Sequence, residues 1–213
     1  SRNIFIKNII NSTFRNSRRH LTLCTMNLHC IGNITYWSTL VSKSELVLEI
    51  QHTFQKQSEL SQYEIATANG RLQLSIPTQK STRKGAYSDV KLDYSTNWQT
   101  EHWRSIENAY LKSPFYLYYG YKIEEVYKCE HETLVALNKA LFDTILSCIK
   151  FNRPVTVNLS DAVYYTPTAP IHNKKYPQVY DTKIKFEENL SILDVLFNLG
   201  PETHDYLLSC LDN

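Results

Sequence analysis

The segment from Glu49 to Gln57 places polar side chains directly after a predicted β-strand. Glu49, Gln51 and His52 stand at the start of this segment. Ligands of α/β proteins commonly bind where strands end, so these three residues are predicted to contact a substrate. An exposed loop is the competing interpretation, and the residue types alone favour it.

A second cluster surrounds His102, which lies between Trp98 and Trp103. His102, Ile106 and Tyr110 recur at four-residue spacing and therefore share one side of a predicted helix. An imidazole suits general acid or base chemistry near neutral pH, so His102 is a predicted catalytic residue and Tyr110 a predicted substrate contact. A buried histidine that packs among aromatic rings is the alternative.

A third cluster begins at Tyr176 and Gln178 and continues to Ser191 and Asp194. Ser191 and Asp194 have the spacing of a capping interaction at the start of a helix. Alternatively, the backbone N–H groups at this helix start face an anionic ligand, whose charge the Asp194 carboxylate would oppose. For a site in this region, Asp194 is the predicted catalytic residue, and Tyr176 and Gln178 are predicted substrate contacts.

No complete catalytic signature accompanies these clusters, because the sequence contains no G-x-S-x-G, H-E-x-x-H or P-loop pattern. The reaction and any cofactor are therefore left open. The five cysteines include no C-x-x-C pair, which is typical of reduced thiols and favours a cytoplasmic protein. Cys129 and His131 would point in different directions on a helix, so no metal site is predicted.

The composition excludes several classes of protein. Of 213 residues, 42% are hydrophobic and 21% charged, as in a globular domain rather than a collagen or a low-complexity chain. The 23 basic residues nearly balance the 21 acidic ones, so a small-molecule substrate is expected in preference to nucleic acid. RNA binding through Tyr-rich and basic segments is the weakest alternative. No apolar run of about eighteen residues occurs, so no membrane span is predicted, and the oligomeric state is left open.

The first 25 residues differ in charge from the rest of the chain. They contain five basic residues and no acidic residue. Met26 is the only methionine, and a strand-like run follows it, so residues 1–25 are predicted to be a poorly ordered or non-native extension. An organelle transit peptide is the alternative, because such peptides are rich in Arg and Ser and poor in acidic residues. Residues 26–213 are predicted to form a single domain.

The remaining pattern predicts an α/β domain, with α+β as the alternative. The opening is β-α-β, with a strand, a helix and a strand over 27–31, 34–42 and 46–50. Alternating runs on either side of Asn69 and Gly70 predict a β-hairpin with a type I′ turn. Apolar residues at helical spacing predict central and C-terminal helices that cover this small mixed sheet, and alternating valines after Pro154 predict one further strand.

Four collinear segments carry a resemblance to a known family. The sequence LSILDVLFNLGPE at residues 190–202, preceded by Tyr176 to Tyr180, resembles the C-terminal hallmark of the WbqC-like proteins, especially the form common in Bacteroidota. Residues 68–77 resemble the family's hairpin, which ends in a proline, and residues 98–119 resemble its central helix. Together these segments extend over nearly everything from Met26 to the C-terminus.

The resemblance implies a function that no spacing in the sequence shows. Association of the family with O-antigen gene clusters implies a role in surface-polysaccharide biosynthesis, by acyl or aminoacyl transfer to a nucleotide-activated amino sugar. Two segments depart from the family pattern: residues 30–33 replace a Pro-containing, aromatic-rich motif, and residues 60–62 replace an Arg-Asn-Arg-like triplet. Because arginines bind phosphate and carboxylate, their loss implies a changed substrate, or a catalytically inactive homologue that serves as a binding or scaffold protein.

Overall fold

The structure is a computed structural model, and it describes residues 23–158, 171–172 and 174–211. In chain order the elements are β1 (Leu23–Asn27), α1 (Ile34–Val41), β2 (Glu45–Glu49), β3 (Gln62–Thr67), β4 (Gly70–Ser75), α2 (Trp98–Tyr110), α3 (Tyr116–Lys128), α4 (Leu134–Cys148), β5 (Val155–Asn158), α5 (Ile192–Leu199) and α6 (Thr203–Ser209). A parallel sheet, an antiparallel hairpin and covering helices confirm the predicted mixture of α and β structure.

Three parallel strands form the first sheet, in the order β1, β2, β5. The predicted β-α-β opening leads from β1 through α1 to β2, and β2 is the central strand. Leu46 and Leu48 of β2 are buried, as expected for a strand in the middle of a parallel sheet. Helix α1 begins where the Asn33 side chain accepts a hydrogen bond from the Tyr36 N–H at 2.9 Å, which satisfies a free donor of the first turn.

Strand β1 lies four residues earlier than the strand expected over 27–31. It pairs in parallel register from Leu23↔Glu45 to Asn27↔Glu49. The apolar run that follows is buried in a loop instead, and Ile31 has a left-handed φ of 60°, which is incompatible with a strand. Residues 23–25, which were assigned to the extension, therefore pair within the sheet. Residues 1–22 lie outside the described residues.

Strands β3 and β4 form the predicted hairpin, which is a separate two-stranded sheet. The last pair is Thr67↔Gly70, so the turn residues are Ala68 and Asn69, one position before the pair expected from the sequence. Gly70 has a φ of 97°, which glycine adopts without steric cost. Strand β3 contacts α2 and α5, so the hairpin is held between the central and C-terminal helices.

Large aromatic side chains connect pairs of helices in the core. Trp37, Tyr110, Phe142 and Phe197 are all buried. Trp37 of α1 stacks on Phe142 of α4 with 5.2 Å between ring centroids, and Tyr110 of α2 tilts against Phe197 of α5 at the same distance. Burying a side chain of this size contributes on the order of 2 to 3 kcal/mol. These contacts therefore hold α1 against α4 and α2 against α5.

Gly200 follows α5 in a conformation that leaves no room for a side chain. Its φ is 56°, and a Cβ atom would lie 2.4 Å from carbons of the Phe115 ring. Gly200→Ala is therefore expected to lower the free energy of unfolding by about 2 kcal/mol or more, measured from the urea midpoint. Gly85→Ala is the matched control, since its nearest neighbour would be the Thr82 carbonyl at 3.7 Å. Equal midpoints for the two variants would contradict this expectation.

Candidate functional site

A polar cavity of about 490 Å³ lies beside the β3–β4 hairpin. We call it the hairpin cavity. The loop after β1, the loop before β3, both hairpin strands and the segment that leads into α5 form its walls, and its volume is in the range of small-molecule sites. Its lining residues are Cys30, Gly32, Asn33, Gln57, Ser58, Glu59, Gln62, Tyr63, Glu64, Arg71, Gln73, Asn189 and Ser191.

Unfavourable backbone conformations are concentrated around the hairpin cavity. In the described part of the chain, four residues other than glycine have a left-handed φ, and two of them, Gln57 (60°) and Asn189 (53°), line the cavity. A third, Ile31 (60°), stands between the lining residues Cys30 and Gly32. This conformation is especially costly for a β-branched side chain. Such residues persist where the surrounding structure fixes them, and they cluster at binding sites.

Backbone hydrogen bonds join the walls of the cavity. The Ser191 N–H donates to the Glu64 carbonyl at 2.9 Å, which ties the segment before α5 to β3. The Ile192 N–H donates to the Gly32 carbonyl at 3.0 Å, which ties the same segment to the loop after β1. Three distant parts of the chain therefore meet at Ser191 through bonds that do not depend on side-chain identity.

Arg71 braces the hairpin against the segment before α5. Its Nη1 donates to the Glu64 carboxylate at 2.7 Å, its Nε to the Glu187 carboxylate at 3.1 Å and its Nη2 to the Glu188 carbonyl at 2.8 Å. Every guanidinium nitrogen thus has an acceptor, and two carboxylates neutralise the charge. Glu59, also in the lining, forms no ion pair with a described residue. The charged groups of the cavity are therefore predominantly acidic.

Four of the sequence-predicted residues meet in a buried network around the Asp194 carboxylate. The Tyr176 hydroxyl and the Gln178 Nε2 both donate to Asp194 Oδ2, the latter at 2.9 Å. The Tyr110 hydroxyl, which accepts from the Ala66 N–H at 3.3 Å, also lies close enough to interact with this carboxylate. Burial raises the pKa of Asp194, and hydrogen bonds from Tyr176, Gln178 and Tyr110 oppose the rise.

Ser191 does not form the expected cap with Asp194. Helix α5 starts without a side-chain capping bond, because the Asp194 side chain turns inward to its network. Ser191 is only 1% exposed, and its Oγ has no hydrogen-bond partner among the described residues. A buried hydroxyl without a partner carries a desolvation cost, so Ser191 adds to the unfavourable energy stored around the cavity.

The Asp194 network lies behind the cavity wall and supports it. Gln178 Nε2 donates to the Glu187 carbonyl at 2.9 Å, and its Oε1 accepts from the Glu187 N–H at 3.0 Å. Because the Glu187 carboxylate holds Arg71, Gln178 links the network to the hairpin. None of the four network residues lines the hairpin cavity, so their contact with a ligand stays a prediction.

His102 lies in a buried aromatic cluster, on the face of β3 opposite to the side chains of Gln62 and Glu64. Its Nδ1 is 3.1 Å from the Tyr63 hydroxyl, which is 2.6 Å from the Tyr127 hydroxyl. Trp98 packs edge-on against the imidazole with 5.3 Å between ring centroids. Burial lowers the pKa of His102 to about 4, so the ring is neutral at pH 7. Tyr63 belongs to the lining through its place on β3, but its hydroxyl is buried and lies on the opposite face of the strand from the side chains of Gln62 and Glu64.

Glu49, Gln51 and His52 lie at the carboxyl end of β2. The Glu49 carboxylate is buried and accepts from the Ile50 N–H at 3.0 Å and the Gln51 N–H at 2.8 Å. The His52 ring lies 5.2 Å from the Tyr87 ring, and burial lowers its pKa while Glu49 raises it. None of the three lines the hairpin cavity. The sequence-predicted residues therefore occupy three places and do not share this cavity.

Sequence patterns did not identify most of the cavity lining. Gln57, Gln73 and Asn189 were not among the predicted site residues, and their approach depends on long-range contacts. One signal was available: the two segments that depart from the family pattern, 30–33 and 60–62, both contribute lining residues. Gln62 lines the cavity itself, so the departures fall at one place in the structure.

Two further observations concern the part of the chain that the structure describes. Within residues 23–158, 171–172 and 174–211, no three His, Cys, Asp or Glu side chains are placed to hold a metal ion. In the same part of the chain, no helix combines the length and the apolar character needed to cross a bilayer.

The fold and the cavity define a mixed α/β protein with a candidate small-molecule site. The chain belongs to the WbqC-like protein family, whose model matches residues 31–168 and 161–206. The matched region contains the hairpin, the loop before it and the segment that leads into α5. No curated protein and no solved structure matches the chain.

The pKa of His102 makes stability depend on pH. Its value falls from 6.5 to about 4 on burial, so the stability that the neutral ring contributes is complete above pH 6.5 and is lost as the pH falls through 4. As the pH falls from 7 to 4, the free energy of unfolding should decrease in the wild type by roughly 3 kcal/mol more than in His102→Asn, which lacks the titrating imidazole. Urea titration at each pH measures this difference. His172→Asn, at an exposed histidine, is the control. Parallel pH profiles for wild type and His102→Asn would contradict this expectation.

Proposed function

We propose that this protein binds a hydroxyl-rich small molecule in the hairpin cavity and acts in surface-polysaccharide biosynthesis. One observation carries the proposal: three left-handed, non-glycine residues converge on a single polar cavity. Membership of the WbqC-like family supports the biosynthetic role. The proposed reaction is transfer of an acyl or aminoacyl group to the amine of a nucleotide-activated amino sugar.

The lining chemistry suits a sugar ring. Most of the lining side chains are amides and hydroxyls, namely Asn33, Gln57, Ser58, Gln62, Gln73, Asn189 and Ser191. Amides offer both donors and acceptors, and hydroxyls offer both in one atom, so together they match the hydroxyl groups of a sugar.

The charges of the cavity select which part of the ligand enters. Arg71 already has an acceptor on every nitrogen, so it is a poor phosphate ligand. Glu59 and Glu64 would repel a phosphate and attract an ammonium group. The proposal therefore places the amino sugar ring inside the cavity and the diphosphate of an activated sugar outside it.

His102 is proposed to position the β3 wall of the cavity through its contact with Tyr63. The Tyr63 hydroxyl lies 3.1 Å from His102 Nδ1, on the face of β3 opposite to the side chains of Gln62 and Glu64. The contact between Tyr63 and His102 and the neutral imidazole support this positioning role. Burial raises the pKa of Tyr63 well above its usual value, so its hydroxyl stays protonated at neutral pH. In the proposed transfer the ligand amine attacks the carbonyl carbon of the acyl donor, the bond to the leaving group breaks, and the amine proton departs with that group.

The other predicted residues take supporting roles in the proposal. Asp194, with Tyr110, Tyr176 and Gln178, positions the cavity wall through Glu187. The remaining residues, Glu49, Gln51 and His52, are assigned to the donor position at the carboxyl end of β2, where α/β proteins commonly bind ligands.

A non-enzymatic binding protein is the second candidate. The position of the segments that depart from the family pattern favours this candidate. Gln62 lines the cavity at a position where the family pattern carries an arginine. Leu60 is buried, so an arginine there would place its charge in the core. Such a protein would bind the same ligand without turnover, and mass spectrometry of the sugar after incubation with an acyl donor separates the two candidates.

Gln73→Trp is expected to fill part of the hairpin cavity and to weaken binding of glucosamine at least about tenfold, measured by isothermal titration calorimetry. Gln73 is exposed on β4, a position where tryptophan suits a strand, so the hairpin should stay folded. Leu72→Trp is the matched control, because neighbouring strand residues point to opposite faces. Wild-type protein that binds no amino sugar, or equal affinities for both variants, would argue against this cavity as the site.

The acidic lining is expected to favour a cation over an anion of the same shape. Wild-type protein should bind glucosamine more tightly than glucuronate, and Glu59→Gln should reduce this preference by about three- to tenfold. Competition titrations at low and high salt measure it, and salt should weaken the preference in the wild type. Glu188→Gln, at an exposed carboxylate outside the lining, is the control. Tighter binding of glucuronate would overturn the assignment of the sugar amine to this cavity.

A further inference from the structure

Helix α3 exposes three large side chains on one side. Leu117, Tyr118 and Tyr121 are 78%, 68% and 53% exposed, whereas Ile123 on the same helix is fully buried. Leu117 and Tyr121 are four residues apart and Tyr118 lies beside them, so the three share one surface of the helix. We call these residues the α3 face. Leu111, in the connection before the helix, is also exposed.

The α3 face has the composition of a protein interface. Tyrosine is enriched in the centre of interfaces, because it combines a large apolar ring with a polar tip. Three side chains of this size expose on the order of 400 Å², within the range of the largest apolar patches on monomers, which are often functional. A standard interface covers about 800 Å² on each partner, so contact through this face would be weak and would depend on concentration.

Two charged residues flank the α3 face in sequence. Lys112 precedes the helix, and Glu125 lies one turn beyond Tyr121. Both are exposed, and neither forms an ion pair with a described residue, whereas the neighbouring Glu124 pairs with Lys128 at 2.8 Å. A surface with charge of one sign would repel its own copy. A surface with opposite signs at its two ends is complementary to itself when one copy is turned through a half-rotation.

We infer that the α3 face binds the same face of a second copy of this chain. In the antiparallel pairing that a two-fold axis produces, Leu117 packs against the partner's Tyr121, and Tyr118 lies near the axis. Lys112 then faces the partner's Glu125, and the same pair forms again on the other side of the axis. An anionic membrane is a poorer fit, because Glu125 would oppose its charge.

Sedimentation velocity over about 1 µM to 1 mM protein tests the inference. The wild type should shift from monomer to dimer as its concentration rises, and Leu117→Glu should raise the dimer dissociation constant at least about tenfold. Leu117 is mostly solvent-exposed, so this variant should keep the wild-type circular dichroism spectrum and urea midpoint. Leu72→Glu, which changes an exposed leucine on the hairpin, is the matched control and should dimerise as the wild type does.

An exchange of charges tests the orientation of the two copies. Lys112→Glu and Glu125→Lys alone should each weaken the dimer by about three- to tenfold, and the double variant should restore it. A wild type that stays monomeric over the whole range overturns the inference, as does a dimer that survives Leu117→Glu. Monomers that bind phosphatidylglycerol vesicles through the α3 face would assign the face to a membrane surface and overturn it too.

Discussion

The contact between the segment 187–194 and the β3–β4 hairpin is the constraint on which the candidate site depends. Asp194 is buried, and a buried carboxylate is tolerated only when donors surround it, which Tyr176 and Gln178 provide. Gln178 then fixes the Glu187 backbone, and the Glu187 carboxylate holds Arg71. Loss of one member would leave an uncompensated polar group in the core and would free one wall of the cavity.

Residues with unfavourable backbone conformations lie in the same region, and specific hydrogen bonds stabilise these conformations. The Trp37 Nε1 donates to the Ile31 carbonyl at 2.6 Å, and the Asn189 Oδ1 accepts from both the N–H and the hydroxyl of Thr35 at 2.9 Å. These bonds come from residues outside the cavity lining and fix the left-handed backbone conformations of Ile31 and Asn189. A cavity fixed in this way is pre-organised, so a ligand that enters it loses little affinity to ordering of the protein.

Local patterns predicted the elements, while long-range contacts determined the site. Helix α1, strand β2 and the hairpin agree with the sequence because periodicity and turn residues act over a few positions. The sequence pattern misplaced strand β1, because the apolar run that ends at Ile31 is buried in a loop and not in a strand. Tyr176, Gln178 and Asp194 do come together, as a support behind the wall. The lining comes from several segments, and three of them meet at Ser191 and Ile192 through backbone bonds that no residue type specifies.

The central claim is that the hairpin cavity binds a polar ligand, and amide chemical-shift mapping tests it most directly. During titration of isotope-labelled protein with glucosamine, the largest shifts should occur at Gln57 to Glu64, Arg71 to Gln73 and Asn189 to Ser191, since these backbones form the walls. Shifts confined to the carboxyl end of β2 around Gln51 and His52, or no shifts at saturating ligand, would contradict the account.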